Sequence, residues 1–407
     1  MMEFRLTKEQ EMFKRGIREY GEKNIFPRAR EIDEKEAGIP DDIVQGLSDL
    51  GVYGCCIPEE YAGCAVPGQA LQYANIAIHE LARAELSMSL PVYTLLTIGW
   101  GGYFLNVAAS KELKQEILPK IASGEWPWGI NVTEPGGGSD VAAVKCQAIK
   151  KGDKYVLNGE KAYISLAAET QSKGGGHSSL LVTDPAKGLK GGMSMFAVIP
   201  NQLKGMTSTT YKDMGRMGLS TGGFVYKNSE LDKKYLIGQE GKGFYLAMEG
   251  FNPARALVAA ACLGGAEKCL EIAVDYAKQR YAFGRPISRF QGISFDLAED
   301  YHKLEMAKLM LQKGCWMIDT YYAEPGSFTQ KDINIVIAEC KLEAPLLSVE
   351  IAKHAIMVLG AFGYTKESPL EMAMRGLMSY VSGAEGAYNI MKTIIARDAF
   401  GPEFVDK

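Results

Sequence analysis

Two short stretches carry residue types that could do chemistry. In GAEGAYN (383–389), Glu385 stands between small residues, just ahead of a helical stripe of Ala387, Ile390, Met391, Ile394 and Ile395. A carboxylate in that place is either a first-turn acid that favours the helix dipole or a general base that takes a proton from a substrate. In INVTEPGGGSD (130–140), a strand pattern runs into Pro135, three glycines, Ser139 and Asp140. Glycines let backbone N–H groups approach an anion or a flat ring closely, and Ser139 adds a hydroxyl donor. A flexible turn has the same composition, and a glycine-rich loop alone does not separate the two.

Composition narrows the class of protein. The chain has 407 residues, too many for one simple core, and divides into two or three packed units. A net charge of −4 with scattered basic residues excludes a nucleic-acid footprint. No apolar run reaches the roughly 18 residues of a membrane span. The opening MMEFRLTKEQEMFKRG lacks the apolar stretch of a signal peptide, so the expected location is cytoplasmic. The eight cysteines (55, 56, 64, 146, 262, 269, 315 and 340) form no CxxC pair and read as reduced core thiols. The four histidines are scattered, which argues against a metal cluster, and His302 and His354 read as structural.

The elements that must position these residues fall into three stretches. Residues 1–125 carry helical periodicity, opened by Thr7 and Gln10 in capping-box spacing. Residues 126–238 are rich in glycine, β-branched residues and short alternating runs, which predicts a small β domain. There, KYVLNGEKAYIS reads as strand, Asn-Gly turn and strand, and SSLLVTD, MSMFAVIP and GFVYKNSEL read as further strands. Residues 239–407 return to long helical patterns over 245–281, 286–323, 330–361 and 369–400, the first and last interrupted; short loops between them predict antiparallel neighbours. The expected fold is α+β, mainly α: an N-terminal helical domain, a β-barrel-like middle domain and a C-terminal four-helix bundle.

In that setting VTEPGGGSD, followed by YVLNGEKAYIS, resembles the signature of the acyl-CoA dehydrogenases, which have a TEPGAGSD-like run and an LNG-K-WIT-like segment. RYAFGRPISRFQGI (280–293) and VLGAFGYTKESPLEMAMRG (358–376) resemble two further motifs of that family, in the same order, so the likeness runs almost end to end. The resemblance implies FAD as cofactor. It places Val132 and Thr133 along the flavin edge, with Gly138 and Ser139 in the adjoining loop, and Tyr163 and Ser165 over the ring. Arg280, Phe283 and Gln291 match a segment that reaches a neighbouring subunit's FAD, where a guanidinium fork suits a pyrophosphate. Gly360 and Gly363 match glycines along the adenine side, and Ala387 and Asn389 fall among the implied cofactor contacts.

For the substrate, the resemblance implies contacts from Ser139, Asn252, Arg255, Ala384 and Gly386, with Asn252 and Arg255 toward the adenosine end of CoA. Counted back from IIAR (394–397), the family's catalytic glutamate falls on Glu385; the alternative base position is Ala254, which cannot serve. The implied reaction is α,β-dehydrogenation of an acyl-CoA, with electrons passed to an electron-transfer flavoprotein by a homo-oligomer, a tetramer in most relatives. Enoyl-CoA reduction, an oxygen-using oxidase or monooxygenase, and a non-catalytic binder remain alternatives.

Four departures from the family pattern stand out. Tyr163 replaces a common tryptophan. Ala384 and Ala387 replace a common tyrosine and threonine, which points to a branched, cyclic or aryl acyl group. Ser89 stands where glutaryl-CoA dehydrogenases carry an arginine, which speaks against a dicarboxylyl substrate. ETQSKGGGHSS (169–179) reads as a surface hairpin extension, or as a rim of the site.

Overall fold

The capping box at Thr7 closes in both directions: Gln10 N donates to Thr7 Oγ1 (3.2 Å) and Thr7 N to Gln10 Oε1 (3.1 Å), starting α1 (Lys8–Tyr20). In this computed structural model, which describes residues 4–405, six more helices follow before the first strand. They are α2 (Ala29–Lys35), α3 (Asp41–Asp49), α4 (Ala70–Ala84), α5 (Ser89–Leu96), α6 (Phe104–Ala108) and α7 (Lys111–Ala122). A π-helical stretch, Thr97–Tyr103, joins α5 to α6. Among the described residues no helix is long and apolar enough to cross a membrane.

The middle of the chain forms β1 (Trp128–Asn131), β2 (Gln147–Lys151), β3 (Lys154–Ser165), α8 (Ala167–Lys173), β4 (Gly176–Val182), β5 (Met193–Val198), β6 (Met206–Thr210), β7 (Thr221–Asp232) and β8 (Leu236–Ile237). They make one sheet in the order β6-β7-β3-β2-β4-β5-β8, with β1 parallel to β4. The barrel expectation is corrected here: the sheet is open, ending in the solvent-facing β6 and the two-residue β8. The Asn-Gly turn is corrected too. Asn158 and Gly159 lie inside β3, at a register shift against β7, and the hairpin turn is at Gly152 and Asp153, where Lys151 pairs with Lys154. Both halves of β3 pair with one long neighbour, β7, so Asn-Gly becomes a bulge (Gly159 φ 133°). The 169–179 segment is no surface extension either. Glu169 is buried and accepts from Ser220 N and Oγ, and Thr170 Oγ1 meets the buried His177 Nε2 at 3.0 Å.

The C-terminal region comprises α9 (Gly243–Gln279), a small hairpin of β9 (Tyr281–Ala282) and β10 (Arg285–Pro286), α10 (Gln291–Ala323), α11 (Gln330–Leu359), α12 (Ala361–Tyr364), α13 (Leu370–Ser382) and α14 (Tyr388–Phe400). The pattern over 369–400 is broken between α13 and α14, as expected. The expected break in the first helix is absent: α9 runs unbroken for 37 residues, through Pro253. Packing against α4, α10 and α11 overrides the local signal. Every residue from Asn252 to Ala266 is buried, the mark of a central helix. Its small residues let neighbours close in: a Cβ on Gly264 would lie 2.2 Å from the His79 carbonyl oxygen of α4.

One ion pair ties the sheet to the loop after β1. Lys161 on β3 has no exposed side-chain surface, and its Nζ donates to Val132 O (2.8 Å), Leu180 O (2.9 Å) and Glu134 Oε1 (3.0 Å). Glu134 also accepts the backbone N–H of Lys145 and of Cys146, each at 2.9 Å. Removing one partner of such a pair strands a buried charge and costs about 3–5 kcal/mol. Lys161→Met should therefore lose about that much stability in urea denaturation, and adding Glu134→Gln should recover part of it; an unchanged midpoint would refute the tie.

Candidate active site

The sheet and the helices on either side enclose a cavity of about 780 Å³. One wall is α5 (Val92, Leu95, Leu96) and the facing turns of α9 (Met248, Phe251, Arg255, Val258). Another is the strand side: Ile130, Val132, Thr133, Gly138 and Ser139 after β1, and Tyr163, Ile164 and Ser165 at the end of β3. The third is Arg375, Met378, Ser379 and Tyr380 on α13 and the turn from Ser382 to Ala387. Glu385, Ala384, Gly386, Ala387, Val132, Thr133, Gly138, Ser139, Tyr163, Ser165 and Arg255 are thus brought to one cavity from distant parts of the chain.

Glu385 sits on a backbone that few residues adopt. Ala384, Glu385 and Gly386 have φ of 21°, 57° and 107°; glycine takes such a value freely, and the two non-glycine residues before it store strain. Arg255 Nε donates to the Glu385 carbonyl oxygen (2.9 Å) and anchors the turn to α9. The side chain points inward, with the residue 8% exposed. Oε1 accepts from Trp100 Nε1 (3.1 Å), and Oε2 is buried without a partner. Burial pushes the Glu385 carboxyl up to about 7; the Trp100 hydrogen bond and the Arg255 and Lys341 charges act the other way.

Arg255 is buried against the backbone of Glu385, and burial lowers its guanidinium to about 10. Asn252 is 2% exposed and outside the cavity lining; its Nδ2 donates to Asn334 Oδ1 of α11 (2.7 Å). Asn389 is exposed on α14 and also off the lining. Arg280, Phe283, Gln291 and Gly360 are exposed, and none of them, nor the buried Gly363, lines the cavity. Phe283, at the tip of the β9–β10 hairpin, is 95% exposed. Trp100 and Lys341 carried no functional signal in sequence. Trp100 lies in an apolar glycine-rich run, and Lys341, on α11, has its Nζ on Tyr380 O at 3.1 Å.

The cavity suits a flat cofactor beside a substrate. Thr133, Ser139 and Ser165 supply hydroxyls along its strand wall, and a Cβ on Gly138 would come within 3.2 Å of Thr133 Oγ1. Tyr163 is 69% exposed at a φ of 58°, its ring 5.2 Å from that of Tyr211. Ser89 is fully buried away from the lining, paired with Ser87 Oγ and accepting from Gly218 N. Three arginines border the cavity: Arg216 near Asp213, Arg375 on Asp33 and Glu371, and Arg255 on Glu385 O. Away from it, Asp300, Glu350 and His354 converge between α10 and α11, where Lys303 approaches Glu350 at 3.5 Å.

Comparison with known proteins places this cavity in context. The acyl-CoA dehydrogenase N-terminal, middle and C-terminal domain families match residues 7–125, 129–229 and 241–400. An acyl-CoA dehydrogenase of Bacillus subtilis (strain 168) is 33% identical over 97% of this chain and 99% of its own. The acryloyl-CoA reductase (NADH) of Anaerotignum propionicum is 32% identical over 98% of this chain and 96% of its own. The solved glutaryl-coenzyme A dehydrogenase glutaryl-CoA complex superposes with a TM-score of 0.90 at 30% identity, covering 100% of this chain and 98% of that one. With its buried glutamate, strand-edge hydroxyls and three-part architecture, the chain belongs to the acyl-CoA dehydrogenases, a family of FAD-dependent oxidoreductases.

Proposed function

We propose that the protein removes hydrogen from the α and β carbons of an acyl-CoA thioester, with Glu385 taking the α-proton. The observation that carries this reading is the Glu385 carboxylate itself: buried, poised near neutrality, with one oxygen unpaired, on a residue that lines a cavity of about 780 Å³. An α-proton is a weak acid, so its removal needs a base of matched pKa in a dry site. The family likeness gives the backbone N–H of Glu385 the task of holding the thioester carbonyl. Bound FAD, which Val132, Thr133, Ser139, Tyr163 and Ser165 would hold, supplies the acceptor for the β-hydrogen.

The acyl group in this reading is uncharged and branched, cyclic or aryl. Ala384 leaves space beside the base, and Val92, Leu95, Leu96 and Val258 make the wall aliphatic. Electrons pass on to an electron-transfer flavoprotein. Exposed Phe295, Tyr301, Met306 and Leu309 on α10 and Met357 on α11 support a homotetramer, in which Arg280, Phe283, Gln291, Gly360 and Gly363 would serve the FAD of a neighbouring copy. The reverse reaction is the second reading. A carboxyl near 7 can donate a proton as readily as accept one, and an acryloyl-CoA reductase is among the relatives.

The purified yellow protein should bleach anaerobically with a matching thioester from a panel of butyryl-, isobutyryl-, cyclohexanecarboxyl- and phenylpropionyl-CoA. Glu385→Gln should keep its FAD and bleach about 10²–10⁴-fold more slowly; bleaching at the wild-type rate would remove Glu385 from the reaction. Reoxidation of the reduced flavin by an enoyl-CoA, with no bleaching by any saturated thioester, would favour the reductase.

The same carboxyl links stability to pH. Its folded pKa is raised, so this carboxyl's contribution to stability is fully present below the unfolded value of 4.5 and is lost as pH rises through about 7. Glu385→Gln should therefore match the wild type at pH 4 and exceed it by about 3 kcal/mol at pH 8. Thermal melts of the two proteins across that range, with a constant gap between them, would refute this.

A further inference from the structure

We propose that Trp100 is the positioning residue for the base: its indole N–H fixes Oε1 of Glu385 and leaves Oε2 as the oxygen that exchanges the α-proton. The proposal rests on Glu385 being that base. The indole nitrogen lies 3.1 Å from Oε1, while Oε2 is buried with no partner. Three groups face Glu385 from three helical segments, and only one of them donates to the carboxylate. Arg255 of α9 spends its Nε on the Glu385 carbonyl oxygen, and Lys341 of α11 spends its Nζ on Tyr380 O. Trp100 is therefore the hydrogen-bond donor to the carboxylate among the described residues.

The indole is built to hold still. It has no exposed surface, and it is gripped edge-to-face by Phe104 (5.1 Å) and Phe251 (5.3 Å). Gly250 makes room for it: a Cβ there would fall 2.5 Å from Trp100 Cζ3. Trp100 also lies within the π-helical stretch Thr97–Tyr103, a wide turn that shifts side-chain direction relative to an α-helix and recurs at functional sites. A glutamate has three side-chain torsions, and a single fixed donor removes most of that freedom while leaving one oxygen basic. A second donor would tie up the reactive oxygen. No donor would leave the carboxylate mobile and harder to ionise.

Trp100→Phe keeps the aromatic packing and drops the N–H. In the FAD-loaded enzyme, with the best thioester of the panel above, the acid limb of kcat/KM against pH should rise by about one unit. The plateau kcat should fall about tenfold. A packing role alone lowers the melting temperature without moving that limb. Replacing Trp100 with benzothienylalanine, the same shape without the N–H, gives the same test should phenylalanine fail to fold. In the wild type labelled with 5-fluorotryptophan, the Trp100 fluorine resonance should titrate with the carboxyl, and in Glu385→Gln it should not. An unshifted acid limb in the variants, or a flat fluorine titration in the wild type, overturns the proposal. If Glu385→Gln bleaches normally, the base assignment falls instead, and the fluorine titration separates that failure from this one.

Discussion

A carboxylate that must lose and regain a proton near neutrality has to be taken out of water, and something other than water must then hold it. In the proposed function that constraint falls on Glu385, and the residues around it answer to it. Burial raises its pKa to about 7, and two nearby cations, Arg255 and Lys341, keep the charged form within reach. The turn that delivers it is strained at Ala384 and Glu385, so it needs an anchor, and the anchor is the buried Arg255 on α9. A central helix can present that arginine because small residues lie beside and beyond it: Ala254 and Ala256 flank it, and Gly264 lets α4 approach closely.

Other buried carboxylates in the protein show what the alternative looks like. Glu134 accepts from Lys161 Nζ and two backbone N–H groups. Glu85 accepts the N–H groups of Ser87 and Leu90, and Asp319 those of Leu71 and Gln72 at the start of α4. Each is paired on both oxygens and acts as a staple between segments. Glu385 has one donor and one bare oxygen. Leaving a buried polar atom short of partners costs stability, and here the residue that bears it lines the cavity. Burial lifts Glu85 to about 7 as well, so what sets Glu385 apart is its unpartnered oxygen.

The sequence made Glu385 and the strand-edge residues legible because they sit in contiguous motifs: a glutamate at a fixed distance from IIAR, and Thr133 and Ser139 inside one loop. What it hid depends on contacts between distant segments. Nothing near Trp100 in the chain announces a residue 285 positions away, and nothing near Arg255 announces that its Nε meets a backbone carbonyl 130 positions on. The Asn-Gly turn failed for a related reason. The pairing of β3 with a strand from much later in the chain turned a strong local turn signal into a bulge. The barrel was overcalled because short alternating strands look the same whether their outer edges meet or not.

In the proposed function the site has two tasks, choosing the acyl group and tuning the base, and they are not carried by separate parts. Val92, Leu95 and Leu96 form the aliphatic wall on α5, and α5 runs without a break into the π-helical stretch that bears Trp100. Across the cavity, Phe251 lines the wall and also grips the indole edge, one turn from Arg255. A change in bulk on either wall therefore presses on the same indole that meets the carboxylate, because closely packed interiors transmit displacement rather than absorb it. Ala384 lies next to the base in the strained turn, outside both helices. A small residue there opens space for the acyl group without touching the packing that fixes Trp100, which is a physical reason for substrate choice to vary at that position more freely than along α5 or α9.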